Sequence, residues 1–177
     1  MALLYDAALA WSNLLNTSYH FTYGKQGKLY EISLSFGAEH FFHMSGIHYV
    51  DDIDFGISLK KPRFLFDVLS RKINPEIVEK SSSWDDIKGR LDAIIRLEDV
   101  LDSDFEIYLF NARYLPFYSA LNARYMIRNV HTGEVVFLFV DEQADSFYCK
   151  SIFTMTDRDY SAGQRKIRLL QKRKTTQ

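Results

Sequence analysis

The chain has 177 residues, 22 Lys+Arg against 23 Asp+Glu, 47% apolar residues and a single cysteine. These counts exclude a disulfide framework and a cysteine-based zinc site, and a net charge of −1 argues against a generic polyanion binder. A chain of this length buries roughly 70% of its unfolded surface, so one domain over residues 1–177 is sufficient without covalent staples.

Leu4, Ala7, Ala8, Trp11, Leu14 and Leu15 fall on one helical face, and Asp6 interrupts what would otherwise read as a signal peptide core. The spacing predicts a docked amphipathic helix. Tyr19–Tyr23 and Leu29–Phe36 flank Gly24-Lys25-Gln26-Gly27-Lys28, which predicts a hairpin. Residues 37–59 are irregular and rich in functional side chains. Pro62 opens a short helix that stops before Asn74-Pro75, and Ser83 precedes a longer helix striped by Trp84, Ile87, Leu91, Ile94, Ile95 and Leu101. From residue 105 the period changes to two. Four strand-like runs follow, with turns at His131-Thr132-Gly133 and Asp141–Asp145. Helices first and an antiparallel meander second predict an α+β fold, with one helical layer on one sheet.

Charge is unevenly distributed. Residues 165–174 carry six of the 22 basic residues and no acid, which leaves −7 on the rest of the chain against +6 at this end. The basic run, within residues 161–177, reads as a C-terminal helix or tail: either a solvated helix end or a phosphate-binding strip. No stretch approaches the ~18 consecutive apolar residues of a membrane-spanning helix, and the lone Cys149 is expected to pack in a reducing cytoplasm.

Two regions carry chemistry. Arg124, Arg128, Lys150 and Ser151 lie on the strands of the meander, where fixed donors on a face left bare by the helices would suit a phosphate or would simply solvate that face. His40, His43 and His48 fall within nine residues and are followed by Asp51, Asp52 and Asp54. The cluster admits three readings: a metal site, although the spacing lacks the glutamate of a helical HExxH motif; satisfied surface or core histidines; and acid/base catalysis by an imidazole titrating near neutrality.

The run His40-Phe41-Phe42-His43-Met44-Ser45-Gly46-Ile47-His48, and the ending Ser151-Ile152-Phe153-Thr154 followed by Asp159-Tyr160-Ser161-Ala162-Gly163-Gln164, resemble the two signatures of the phage-associated branch of barnase/EndoU/colicin/RelE-like nucleases. The resemblance spans about residues 15–171, with departures at Met44, Ser45, Ile152 and Thr154. It implies a barnase/RelE-like α+β fold in which a helical N-terminal part packs on a four-stranded antiparallel sheet, here with an added N-terminal hairpin. It also implies a toxin- or effector-type ribonuclease from a phage or mobile element, acting through 2′-OH attack without metal or cofactor. Carried over, His43 is the acid or base, Ser151 and Tyr160 donate to phosphate or ribose, and Arg124 meets the developing charge. His40, His48, Lys150 and Gln164 would contact substrate. RNA, including tRNA or other structured RNA, is the expected partner, with an antitoxin or immunity protein as a second one and no membrane. Two alternatives remain at this stage: an inactive RNA- or protein-binding module of the same fold, and a histidine-based metal hydrolase. Of 25 Tyr and Phe in total, Phe42, Tyr49 and Tyr160 are the aromatics expected near a ligand.

Overall fold

Five α-helices and eight strands are seen in the computed structural model, which describes residues 2–131 and 133–177; Thr132, the centre of one expected turn, lies outside them. In chain order these are α1 (Leu3–Leu14), β1 (Thr17–Lys25), β2 (Lys28–Ser35), α2 (Phe41–Met44), α3 (Lys61–Leu69), α4 (Trp84–Ile95), α5 (Leu97–Asp102), β3 (Glu106–Leu109), β4 (Tyr125–His131), β5 (Glu134–Gln143), β6 (Ser146–Thr154), β7 (Arg165–Ile167) and β8 (Leu169–Thr176). The expected apolar stripe of α1 is buried at Leu4, Ala7, Ala8, Trp11 and Leu14. The long helix expected after Ser83 is two helices, α4 and α5, separated at Arg96.

The expected four-stranded antiparallel sheet with a separate hairpin is not what forms. A single eight-stranded mixed sheet runs in the order β7-β3-β4-β5-β6-β2-β1-β8. Two long-range pairings make the difference. The hairpin joins the meander through a short parallel contact, Leu34 opposite Phe147 and Ser35 opposite Tyr148. The C-terminal run, expected as a helix or tail, then supplies both edge strands: β7 pairs with β3, and one residue later β8 pairs with β1 along its length. The chain thus passes from one edge of the sheet to the other across Arg168 and nearly closes it into a barrel, leaving little free edge. Neither pairing has a local signature, because strand register across 100 or more residues is set by burial rather than by turn chemistry.

The charge imbalance of the sequence is resolved by this closure. Lys166 bonds Glu106, Lys174 bonds Glu98 and Asp102, and Lys172 donates to the carbonyls of Leu101, Asp102 and Ser103 at the end of α5. A cation at a helix C-terminus meets both the unpaired carbonyls and the negative end of the helix dipole. Three of the six basic side chains of the run are therefore committed, one to β3 and two to α5 and its C-terminal end.

The face of β4 and β5 expected to be bare is also covered. Tyr108, Phe110, Leu115, Ala123, Met126, Phe137 and Phe139 form a second core there, closed by Phe117, Phe153 and Tyr160 from the connections on either side. The main core lies on the opposite face and merges the helices with every strand from β1 to β7. Asn129, only 2% exposed, links β4 to the end of α5: its amide donates to the Val100 and Asp104 carbonyls and to the Ser103 hydroxyl. Replacing it by leucine strands those buried acceptors, at a cost of about 1–3 kcal/mol. Urea denaturation of Asn129→Leu should show a lower midpoint with unchanged slope.

Candidate active site

The histidine motif folds as a chain of single turns. Ala38–His40 is a 3₁₀ turn, α2 follows at once, and Ile47–Tyr49 makes a second 3₁₀ turn. Its apolar residues Phe41, Met44 and Ile47 are fully buried together with Ser45, which turns His43 and His48 outward. Two further features position the loop. The Trp11 indole donates to the Gly37 carbonyl at 3.1 Å, fastening the loop to α1. Gly46 sits at φ 76°, and a Cβ there would lie 3.0 Å from both Arg90 Cδ and Ile87 Cγ2, so only glycine lets the loop turn and press against α4. The Asp52 carboxylate accepts from Ser81 Oγ and the Ser82 amide, and these hydrogen bonds hold it down at about 2.

A cavity of about 310 Å³ opens where this loop meets β6. His40, His43, His48 and Tyr49 line it from the loop, Arg90 from α4, and Tyr148, Lys150 and Ser151 from β6. The strand contributes consecutive residues because the pairing of β5 with β6 shifts register here: Phe139 is opposite Ser151 and Val140 opposite Cys149. Lys150 is therefore the extra residue of a β-bulge, a local feature that re-aims side chains. Cys149 also reaches the cavity wall, but burial pushes its thiol far above the usual range and keeps it protonated.

Arg90 is the centre of the site. Its Nη1 donates to Ser151 Oγ at 3.0 Å, and its guanidinium lies 5.4 Å from the Tyr49 ring and 5.8 Å from the Phe153 ring. Among the described residues it forms no ion pair. The cations anticipated from sequence are committed elsewhere: Arg124 to Glu142, Arg128 to Glu106 and Lys150 to Asp141. Its guanidinium is half-buried and feels the Asp86 carboxylate one turn back on α4 without reaching ion-pair distance of it.

The imidazoles are held mainly neutral. Burial lowers all three below their ordinary value of 6.5, even though His43 and His48 reach solvent at one edge. Lys61 and His40 lower His43 further, and His43 and Arg90 do the same to His48. The His43 and His48 rings meet edge to face, with centroids 4.9 Å apart. His40 stands apart, stacked on Tyr148 at 4.8 Å, and its Nδ1 accepts from the Gly37 amide at 3.3 Å. In the neutral ring that bond leaves the proton on Nε2, which makes His40 a donor. Among the described residues, no group of three or more His, Cys, Asp or Glu is arranged to hold a metal ion.

The structure thus brings five of the eight sequence-derived site residues, His40, His43, His48, Lys150 and Ser151, around one cavity. Three others lie outside it. Arg124 lines a separate cavity with Tyr23 and Tyr125. Tyr160 lies across Arg90, packed against Phe117, Phe137, Phe139 and Phe153. Gln164 accepts from the Asn111 amide and donates to the Asn111 carbonyl, clamping one loop to another. Arg90 was the residue missed, because on a helix full of acids it reads as one half of a solvated charge pattern.

No curated protein and no solved structure matches the chain. Residues 3–177 match one family throughout, and on that match the chain belongs to the phage-Barnase-EndoU-ColicinE5/D-RelE like nuclease4 family.

Proposed function

We propose that the chain is a ribonuclease that cleaves RNA by attack of a ribose 2′-hydroxyl on the adjacent phosphorus. The observation that carries this reading is Arg90, unpaired and fixed by Ser151 beside two imidazoles in edge-to-face contact. The site offers proton transfer and charge neutralisation, and RNA brings its own nucleophile, so those two services suffice. Family membership supports a nucleic-acid substrate.

In this reading neutral His43 removes the 2′-OH proton as the oxygen bonds to phosphorus. The charge that builds on the non-bridging oxygens falls to the Arg90 guanidinium and the Ser151 hydroxyl. Protonated His48, the imidazole nearer Arg90, delivers its proton to the departing 5′-oxygen. The products are a 2′,3′-cyclic phosphate and a free 5′-hydroxyl. His40, whose Nε2 lies 3.7 Å from Glu39 Oε1, and Lys150, held at 2.6 Å by Asp141, line the wall. Arg124 and Gln164, outside the cavity, have no part in this scheme.

Total RNA incubated with the protein in EDTA should yield cyclic-phosphate ends. His43→Ala should slow cleavage about 10²–10⁴-fold, the usual worth of general acid–base catalysis. Arg90→Ala should cost about 10²–10³-fold, with Arg90→Lys intermediate, since lysine keeps the charge and loses the fork that holds Ser151. Wild-type protein that leaves RNA intact at high concentration would remove the proposal.

The pH profile has a defined sign. Activity requires one neutral and one protonated imidazole, and both pKa values are lowered in the free protein. The profile of kcat/KM should be bell-shaped with its maximum below pH 6.5, both limbs displaced to the acid side. A maximum above pH 7 would contradict the assignment of His43 and His48 as the pair.

A further inference from the structure

Arg90 borders two cavities. On the side away from the imidazoles it joins Phe153, Thr154, Thr156, Asp157 and Tyr160 around a second space of about 400 Å³. We propose that this second cavity is a subsite for the nucleoside on the leaving side of the scissile phosphate, an inference that rests on the ribonuclease reading of the first.

The argument begins with the geometry of displacement. In an in-line reaction the attacking and leaving oxygens lie on opposite sides of the phosphorus, so the two nucleosides that share a phosphate extend in opposite directions from it. A phosphate held by Arg90 with its attacking ribose near His43 therefore directs its other nucleoside across the guanidinium. The chemistry of that space favours a nucleoside over another phosphate. Asp157 and Asp86, at its rim, repel a second anion and accept hydrogen bonds from ribose hydroxyls or base amines. The one other cation there, Arg158, lies 5.3 Å from the Phe117 ring. Among the described residues, neither the Thr154 nor the Tyr160 hydroxyl is hydrogen-bonded within the protein, so both are available to a ligand. Phe153, whose ring flanks Arg90, supplies an apolar wall for sugar or base.

Two substrates separate this subsite from the chemistry. A dinucleoside phosphate fills both cavities, whereas a nucleoside 3′-methylphosphate has the same reacting centre and no leaving nucleoside. Wild-type protein should cleave the first at least 10-fold more efficiently, and Thr154→Val and Asp157→Asn should each shrink that ratio. An unchanged ratio in both variants overturns the subsite. Binding supplies a readout independent of turnover. A 2′-deoxy dinucleoside phosphate, which cannot cyclise, should shift the amide NMR signals of residues 154–161 together with those of the histidine loop, while a nucleoside 3′-phosphate should shift the loop alone. Dinucleotide shifts confined to the loop, or no shifts at all, overturn the proposal. Shifts at both cavities without cleavage of RNA would uphold the subsite and sink the ribonuclease reading.

Discussion

The architecture depends on one crossing, the passage of the chain over Arg168 from the β3 edge of the sheet to the β1 edge. Without it the sheet would lack both of its edge strands, and Glu98 and Asp102 of α5 would lose Lys174. With it, Lys166, Lys172 and Lys174 settle onto Glu106, the end of α5 and Glu98 with Asp102. Individually such surface pairs contribute about 0–1 kcal/mol, but these are spread over β7 and β8 and tie the two strands to β3 and to α5. Their larger effect is on charge: half of the basic run is committed to the fold, and the cation of the site comes from another element.

That element is α4. The helix is fixed on one side by the main core through Ile87, Leu91 and Ile94, and on the other by the histidine loop pressing in at Gly46. Between those contacts Arg90 has no freedom to reach solvent fully. Desolvating an unpaired guanidinium costs several kcal/mol, and two aromatic contacts of about 1 kcal/mol each with the Ser151 hydrogen bond offset only part of it. The attraction of Asp86, one turn back on α4, offsets a further part, and in the proposed function a substrate phosphate would supply the rest.

How much of this was legible in the sequence depends on the range of the interaction. Helix α1, the β1–β2 hairpin, the α3 start at Pro62 and the strand runs of β4, β5 and β6 follow from periodicity and turn residues, which are local. The histidine cluster was legible as chemistry because three imidazoles in nine residues are rare in a purely structural loop. The closure of the sheet was not, since β8 holds three consecutive cations among its eight residues and carries no β-strand alternation of its own until Lys172 meets the carbonyls at the end of α5 and Lys174 its acids. Arg124 and Arg90 exchanged significance for the same reason. Strand position brings Arg124 to a sheet end beside Glu142, while Arg90 is drawn inward by packing that only the folded loop provides. The ending around Tyr160 is similarly divided: Gly163, whose Cβ would lie 2.4 Å from the Tyr114 carbonyl, and Gln164 serve the loop, and only Tyr160 borders Arg90.

The electrostatic design couples substrate binding to protonation. In the free site the neighbours that Arg90 and Lys61 present to His48 and His43 are positive, and together with burial they keep both rings neutral. On the proposed mechanism a bound phosphodiester would place a negative charge between Arg90 and His48 and reverse the sign of the field at that ring, favouring its charged form. His43, farther from Arg90 and beside Lys61, would feel that reversal less. In the proposed reaction the phosphate held by Arg90 would thereby also divide two similar imidazoles into an acid and a base, a division that arises with the substrate that uses it.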